Sequence, residues 1–255
     1  MATTDNNTLN TTVTSLEVLS ALKQLDGAGV TELAEELGIA PSTAHSHLTT
    51  LLRHEYLVKD GDTYQLGLQF LDYAQYVRTN SEYYALAKSK VQRLSEETGG
   101  RAHFIVEEHG DGVYVYTKSG KHGVETYARD GRRLSLHRAA AGKAILAYLP
   151  TERVHEIIDE KGLEGRTPES ITSKEELMNE LEEIRERDGI GFNLEEQITG
   201  IRAVGAPVRA DDGTVVGALS VSGPTHRMKG DRLYKELPDI VLGTANELEL
   251  EIKYA

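Results

Sequence analysis

The 255-residue chain contains no cysteine, which excludes a disulfide framework, a thiolate metal site and a thiol nucleophile. Long apolar runs are also absent: none approaches the roughly 18 residues that cross a bilayer. The polar start, MATTDNNTLNTT, lacks the charged and then apolar pattern of a signal peptide, so the expected location is the cytoplasm, with no membrane partner. Two glycosylation patterns, at Asn6 and Asn10, carry no meaning in that compartment. Catalytic signatures are missing too. The histidines are scattered without metal-ligand spacing and no G-x-S-x-G turn occurs, so no metal, no cofactor and no enzyme activity is expected.

Positive charge is the other scarcity. Lys and Arg number 28 against 41 Asp and Glu, a net charge of −13. Through residue 80 the count is 4 against 10, net −6, which leaves 24 against 31, net −7, for the remainder. Nucleic-acid binding usually shows a basic footprint, because neutralising phosphates releases counterions. In this chain that contribution must be small, and an acidic surface of this kind suits a salt-rich, halophilic cytoplasm of the archaeal type.

Against these absences stands 39% hydrophobic content, enough for one large or two ordinary domains. Residues 31–56, TELAEELGIAPSTAHSHLTTLLRHEY, organise the first of them. Leu33, Ala34 and Leu37 fall at helical spacing, Gly38 can end that helix, and Ala44, Leu48, Leu51 and Leu52 line one face of a second. Opposite that stripe lie Ser42, Ser46, Thr49 and Arg53, flanked by Thr43, His45, His47 and Thr50. A solvated surface helix would carry Glu, Lys and Gln, which form helices better than Ser and Thr; short polar side chains suit a groove wall. Leu16, Leu19, Leu22 and Leu25 predict a preceding helix, and Leu57–Lys59 and Thr63–Leu66 flank a hairpin signal at Asp60-Gly61. Together these predict a winged helix-turn-helix whose second helix enters a DNA major groove while its hairpin lies along the backbone. A helical module that binds protein is the competing reading of the same pattern.

The expected domains are a disordered tail over 1–12, a winged helix-turn-helix over 13–67, a linker helix over 68–80 and a second domain over 81–255. The linker's apolar positions, Leu68, Leu71, Tyr73, Ala74 and Val77, offer either a partner surface or packing onto its own domain. The second domain opens with a helix from Glu82 to Thr98. Strands follow at Ala102–Glu107, Val113–Thr117, Val124–Ala128 and Arg133–Leu136, then helices at Ala139–Tyr148, Glu152–Glu160 and Lys174–Arg187. Strands at Ile201–Arg209 and Thr214–Val221 and a closing helix from about Asp231 complete an α+β domain with one antiparallel sheet.

Two stretches there could carry chemistry. His137–Ala144 looks like a phosphate loop but lacks its first Gly and the hydroxyl residue after Lys, so a nucleotide site is not expected. Small residues opening a helix still let backbone N–H groups approach an anion, although they also serve tight helix packing. Ser220 and Ser222 share one face of a strand and need partners there, which either neighbouring backbone or a bound hydroxy acid or carboxylate would provide.

STAHSHL in the winged motif, LHRAAAGKAILAYLP, GIGFNLEEQITGIRAVGAPV and LSVSGPTHRM occur in that order, and from about Ser15 onward the chain resembles the IclR family of bacterial and archaeal transcription regulators. The resemblance implies a GAF-like effector domain, a linker helix used in dimerisation, and homodimers or homotetramers on a double-stranded, palindromic operator. It also implies a small organic acid as effector, and a ligand pocket at Ala140, Ala141, Asn193, Ala203, Ser220 and Ser222. Contacts to DNA are expected from Ser42, Thr43, His45, Ser46, Thr49, Arg53 and Lys59. Family members that respond to glyoxylate have Asp in place of Asn193 and Cys in place of Ala203, so the resemblance names a ligand class rather than one compound. Many members also carry Arg at the position of Ser46.

Overall fold

Three helices and a hairpin build the first of two units in the computed structural model, which describes residues 8–254. Helices α1 (Asn10–Gln24), α2 (Val30–Leu37) and α3 (Pro41–Arg53) bury Val18, Leu22, Leu33, Ala44 and Leu48 together with Leu57 and Tyr64 of the hairpin. Gly38 stops α2 in the left-handed conformation, at φ 63°. Pro41 starts α3, where its fixed φ suits the first turn and its missing N–H leaves no helical bond unmade. Strands β1 (Leu57–Asp60) and β2 (Thr63–Leu66) pair antiparallel around Gly61 and Asp62, one residue beyond the expected turn.

Helix α4 (Gln69–Thr79) continues from the wing. Tyr56 stacks on Tyr73 at 6.0 Å between ring centroids, meets Phe70 edge-on at 5.6 Å, and its hydroxyl lies 2.8 Å from that of Tyr73. That side of α4 is used locally, whereas Leu71, Tyr76 and Val77 are exposed. The expected disordered tail is corrected at its end, because residues 10–12 already belong to α1. Its first seven residues lie outside the described ones.

The second unit begins at Thr79. Helix α5 (Glu82–Thr98) leads into β3 (Arg101–Glu108), β4 (Asp111–Ser119) and β5 (Arg133–Leu134); then come α6 (Ala140–Tyr148), α7 (Thr151–Lys161) and α8 (Lys174–Glu186). Strands β6 (Gly191–Leu194), β7 (Ile201–Arg209) and β8 (Val215–Pro224) and helix α9 (Leu237–Tyr254) complete it. All pairings are antiparallel, in the order β5-β4-β3-β8-β7-β6. Alternation along the strands sends Phe104, Val204, Leu219 and Val221 to a core under α5 and α9, and Ile105 and Ala218 to a core under α6, α7 and α8. The architecture is α+β with a single antiparallel sheet between helical layers.

The sheet corrects the expected strand at Val124–Ala128, which is irregular chain. The Arg101 guanidinium takes the carbonyls of Val124 and Ala128, so this backbone is satisfied by a side chain rather than by a neighbouring strand. Leu136 likewise belongs to a 3-10 turn, Leu136–Arg138, instead of a strand. Strand β6 is an addition to the expected set: it has only four residues, and Gly191 and Asn193 are poor strand formers.

Candidate functional site

All seven residues expected at DNA are exposed on α3 and β1. Ala44 and Leu48 anchor the buried side of α3, which leaves Ser42, Thr43, His45, Ser46, Thr49 and Arg53 facing outward. Ser46 Oγ donates to Ser42 O at 2.9 Å, so its lone pairs face solvent while its proton satisfies the helix. His47 turns back instead: its Nδ1 lies 2.8 Å from Ser15 Oγ on α1, a contact that braces α3 against the first helix. On the wing, Lys59 Nζ sits 5.0 Å from the Tyr64 ring centroid. The acidic Glu32, Glu35 and Glu36 lie exposed on α2.

The second unit holds a cavity against the α6 side of its sheet, and register explains how it is built. One row across the strands pairs Asn193 with Ala203, Ala203 with Ser222 and Ser222 with Arg101; the next pairs Gly191 with Gly205, Gly205 with Ser220 and Ser220 with His103. Ala140, Ala141, Asn193, Ala203, Ser220 and Ser222 therefore line one space, joined by His103, Tyr114, Thr126 and Gln197. The start of α6 lands on the glycine pair. A Cβ on Gly205 would stand 2.6 Å from Ala141 N, and one on Gly191 2.5 Å from Ala140 O, so any side chain there would push the helix away. At its N-cap position Ala139 supplies no capping side chain, and the first helical bond runs from Lys143 N–H to Ala139 O at 2.8 Å. The earlier N–H groups of α6, including those of Ala140 and Ala141, have no helical acceptor and form a donor set suited to an anion.

The cavity's polar groups divide by how they are held. Ser220 is buried, paired in register between Gly205 and His103. Ser222 Oγ lies 3.2 Å from His103 Nε2 and donates to Arg101 O at 3.3 Å. Asn193 is tied at both ends: its Nδ2 donates to Arg138 O at 2.8 Å and its Oδ1 accepts from Glu196 N at 3.0 Å. Its amide thus fixes the loop after β6 beside the cavity. Sequence reasoning missed His103, because a lone histidine in a strand gives no signal until the register sets it beside Ser220 and Ser222. Burial, with a smaller contribution from the Arg101 charge, lowers the His103 pKa to about 3.

A Ser–His contact invites comparison with a nucleophile and its base, a pair the sequence had not revealed. The chemistry argues against that role: the second nitrogen of His103 faces Thr117 Oγ1 at 3.3 Å rather than a carboxylate, and so acidic an imidazolium makes a poor proton acceptor at neutral pH. Behind the cavity, buried Lys143 donates to Glu196 Oε1 at 2.7 Å and lies 3.4 Å from Glu180. Burial raises the Glu196 pKa although Lys143 opposes the shift, and Glu196 Oε2 has no partner among the described residues. No group of acidic and histidine side chains suited to a metal occurs among those residues, and no described helix is long and apolar enough to cross a membrane.

Two family models match the chain: "IclR helix-turn-helix domain" over residues 14–61 and "Bacterial transcriptional regulator IclR C-terminal" over residues 75–250. The "Probable HTH-type transcriptional regulator ArcR" of Halobacterium salinarum is 34% identical, over 97% of this chain and 95% of that protein. Among solved structures, the IclR protein of Thermotoga maritima superposes with a TM-score of 0.81 at 27% identity, covering 96% of this chain and 99% of the other. The inducer-binding domain of the PobR transcription factor from Acinetobacter, a double mutant in complex with 3-hydroxybenzoic acid, aligns with a TM-score of 0.58 at 26% identity, covering 65% of this chain and 96% of that one.

Proposed function

Because the chain belongs to the IclR family of transcriptional regulators, we propose that it controls transcription of a catabolic pathway by binding an operator with an affinity set by a small organic acid. The observation that carries this reading is the convergence of Ala140, Ala141, Asn193, Ala203, Ser220 and Ser222 on one cavity beneath the uncapped start of α6. A carboxylate there accepts from the free N–H groups of α6 and from Ser220, while a hydroxyl or keto oxygen meets Ser222. Ala203 keeps the floor low, and the two glycines let the start of α6 close onto the sheet beside it. The 3-hydroxybenzoic acid bound to the PobR domain supports an acid as ligand on this fold.

On DNA, α3 lies in the major groove and the β1–β2 hairpin follows the neighbouring phosphates. A second copy of the chain, assembled through the exposed Leu71, Tyr76 and Val77 of α4, supplies the matching half of a palindromic site in a dimer or tetramer. The protein acts in the cytoplasm and turns over no substrate. The test is operator binding by the full chain, using DNA upstream of its own and adjacent genes, titrated with organic acids and read by fluorescence anisotropy. Linkage requires that an acid which shifts operator affinity binds free and operator-bound protein with affinities differing by the same factor. Specific operator binding that no tested acid alters, when those acids bind the cavity by calorimetry, would refute the regulatory link.

A further inference from the structure

Beside the cavity lies a second, more open cleft that shares Tyr114, Thr126, Ala128, Gln197 and Ile198 with it. In a chain of net charge −13, this cleft is lined by four arginines, Arg132, Arg133, Arg138 and Arg166, and by one carboxylate, Asp111. Asp111 is already held by Lys161 at 2.8 Å, and Arg133 is engaged by Glu108. The buried Arg138 spends its donors on neutral acceptors, Gln197 Oε1 at 3.0 Å, Ser135 Oγ at 2.8 Å and the Glu164 carbonyl. Burial, and after it the neighbouring Arg166 charge, push the Arg138 pKa down against an opposing pull from the Glu164 carboxylate. At the rim, the guanidinium carbons of exposed Arg132 and Arg166 lie 5.2 and 5.9 Å from the centroid of one ring, Tyr127.

Resting on the reading that the inner cavity takes a carboxylate, we infer that the effector is an acid with two anionic ends. One end sits at Ser220 and the start of α6, and the other lies between Arg132 and Arg166 in the neighbouring cleft. A dicarboxylate or a phosphorylated acid shares this chemistry. A guanidinium binds either group through paired N–H donors, and two of them lie within 6 Å of the centre of the Tyr127 ring.

The test is calorimetry on the full chain with matched probes: butyrate against glutarate, and gluconate against 6-phosphogluconate. At least one two-anion probe should bind about tenfold more tightly than its one-anion match, the scale of a charge-assisted contact at a partly solvated site. Which pair shows the advantage distinguishes the dicarboxylate from the phosphorylated acid. Both rim arginines are exposed, so Arg132→Gln with Arg166→Gln should fold, which a melting curve checks, and should abolish most of that advantage while leaving the one-anion probes unchanged. Ser220→Ala should weaken both members of a pair. Equal affinity within both pairs overturns the inference and leaves the inner site intact. Two-anion binding that needs the arginines but ignores Ser220 makes the cleft a separate anion site and overturns the bridge. If no two-anion probe binds at millimolar concentration the inference also fails, and the one-anion probes then report on the inner site alone.

Discussion

His103 Nε2 lies 3.2 Å from Ser222 Oγ, and Ser222 in turn donates to the Arg101 carbonyl at 3.3 Å. That direction puts the ring proton on Nε2, and in the neutral ring, which burial favours, Nδ1 is left to accept from Thr117 Oγ1.

Stability should therefore fall with acid through His103. Its folded pKa, about 3, lies below its ordinary value of 6.5, so the unfolded chain binds the extra proton between those limits. The neutral-histidine advantage is complete above pH 6.5 and shrinks by about 1.4 kcal/mol per pH unit as the pH falls toward 3. Denaturant melts between pH 6.5 and 5 avoid the range in which Glu195 and Glu247, whose pKa values are lowered from 4.5, begin to protonate. His103→Gln should flatten the curve in that window; an unchanged slope would mean that His103 is protonated in the native state.

The two serines should respond differently. Ser220 lines the cavity and makes no contact to His103 like that of Ser222, so Ser220→Ala should cost ligand binding about 1 kcal/mol with little change in stability. Ser222→Ala also removes the partner of His103, so stability and ligand affinity should fall together. Calorimetry with thermal melts checks both, and undiminished ligand binding in both variants would sink the pocket assignment.

Gly205→Ala should dislodge the start of α6. The added methyl meets backbone at 2.6 and 2.9 Å, which no rotamer can relieve, and the expected loss is about 1–3 kcal/mol or more. Operator binding without ligand should outlast the response to ligand. Wild-type stability together with a wild-type response would show that α6 does not need the glycine floor.

Lys143 and Glu196 are both nearly inaccessible, so removing one partner strands a charge. Lys143→Met should destabilise by about 3–5 kcal/mol, and adding Glu196→Gln should recover much of it. A double variant as unstable as Lys143→Met alone would assign the loss to packing.

On DNA, Ser46→Ala should change which bases are preferred and cost on the order of 1–3 kcal/mol at the cognate site only, whereas Lys59→Ala should weaken all sequences alike. With four basic residues before position 81, the dependence of log affinity on log salt should be shallow, at about 0.9 for each neutralised phosphate. Equal losses on operator and random DNA for Ser46→Ala would remove it from the base-reading set, and a steep salt slope would contradict the electrostatic reading.

Local pattern alone determined the winged unit. Leu33, Gly38, Ala44 and Leu48 state helix, stop and buried face within 16 residues, and the structure follows them. Helices α5 to α9 and the long strands β7 and β8 were legible for the same reason, since period and turn residues act over short distances. What only the tertiary structure decided is non-local. Strand β6 forms because β7 offers it a partner, and the run 124–128 stays irregular because Arg101 takes its carbonyls. Register across β6, β7, β8 and β3 brings His103 beside two serines more than a hundred positions away, and the loops around that cavity bring four arginines into one cleft next to it. Periodicity sets which face a residue occupies; only the pairing of distant strands sets its neighbours, and the chemistry of the cavity depends on those neighbours.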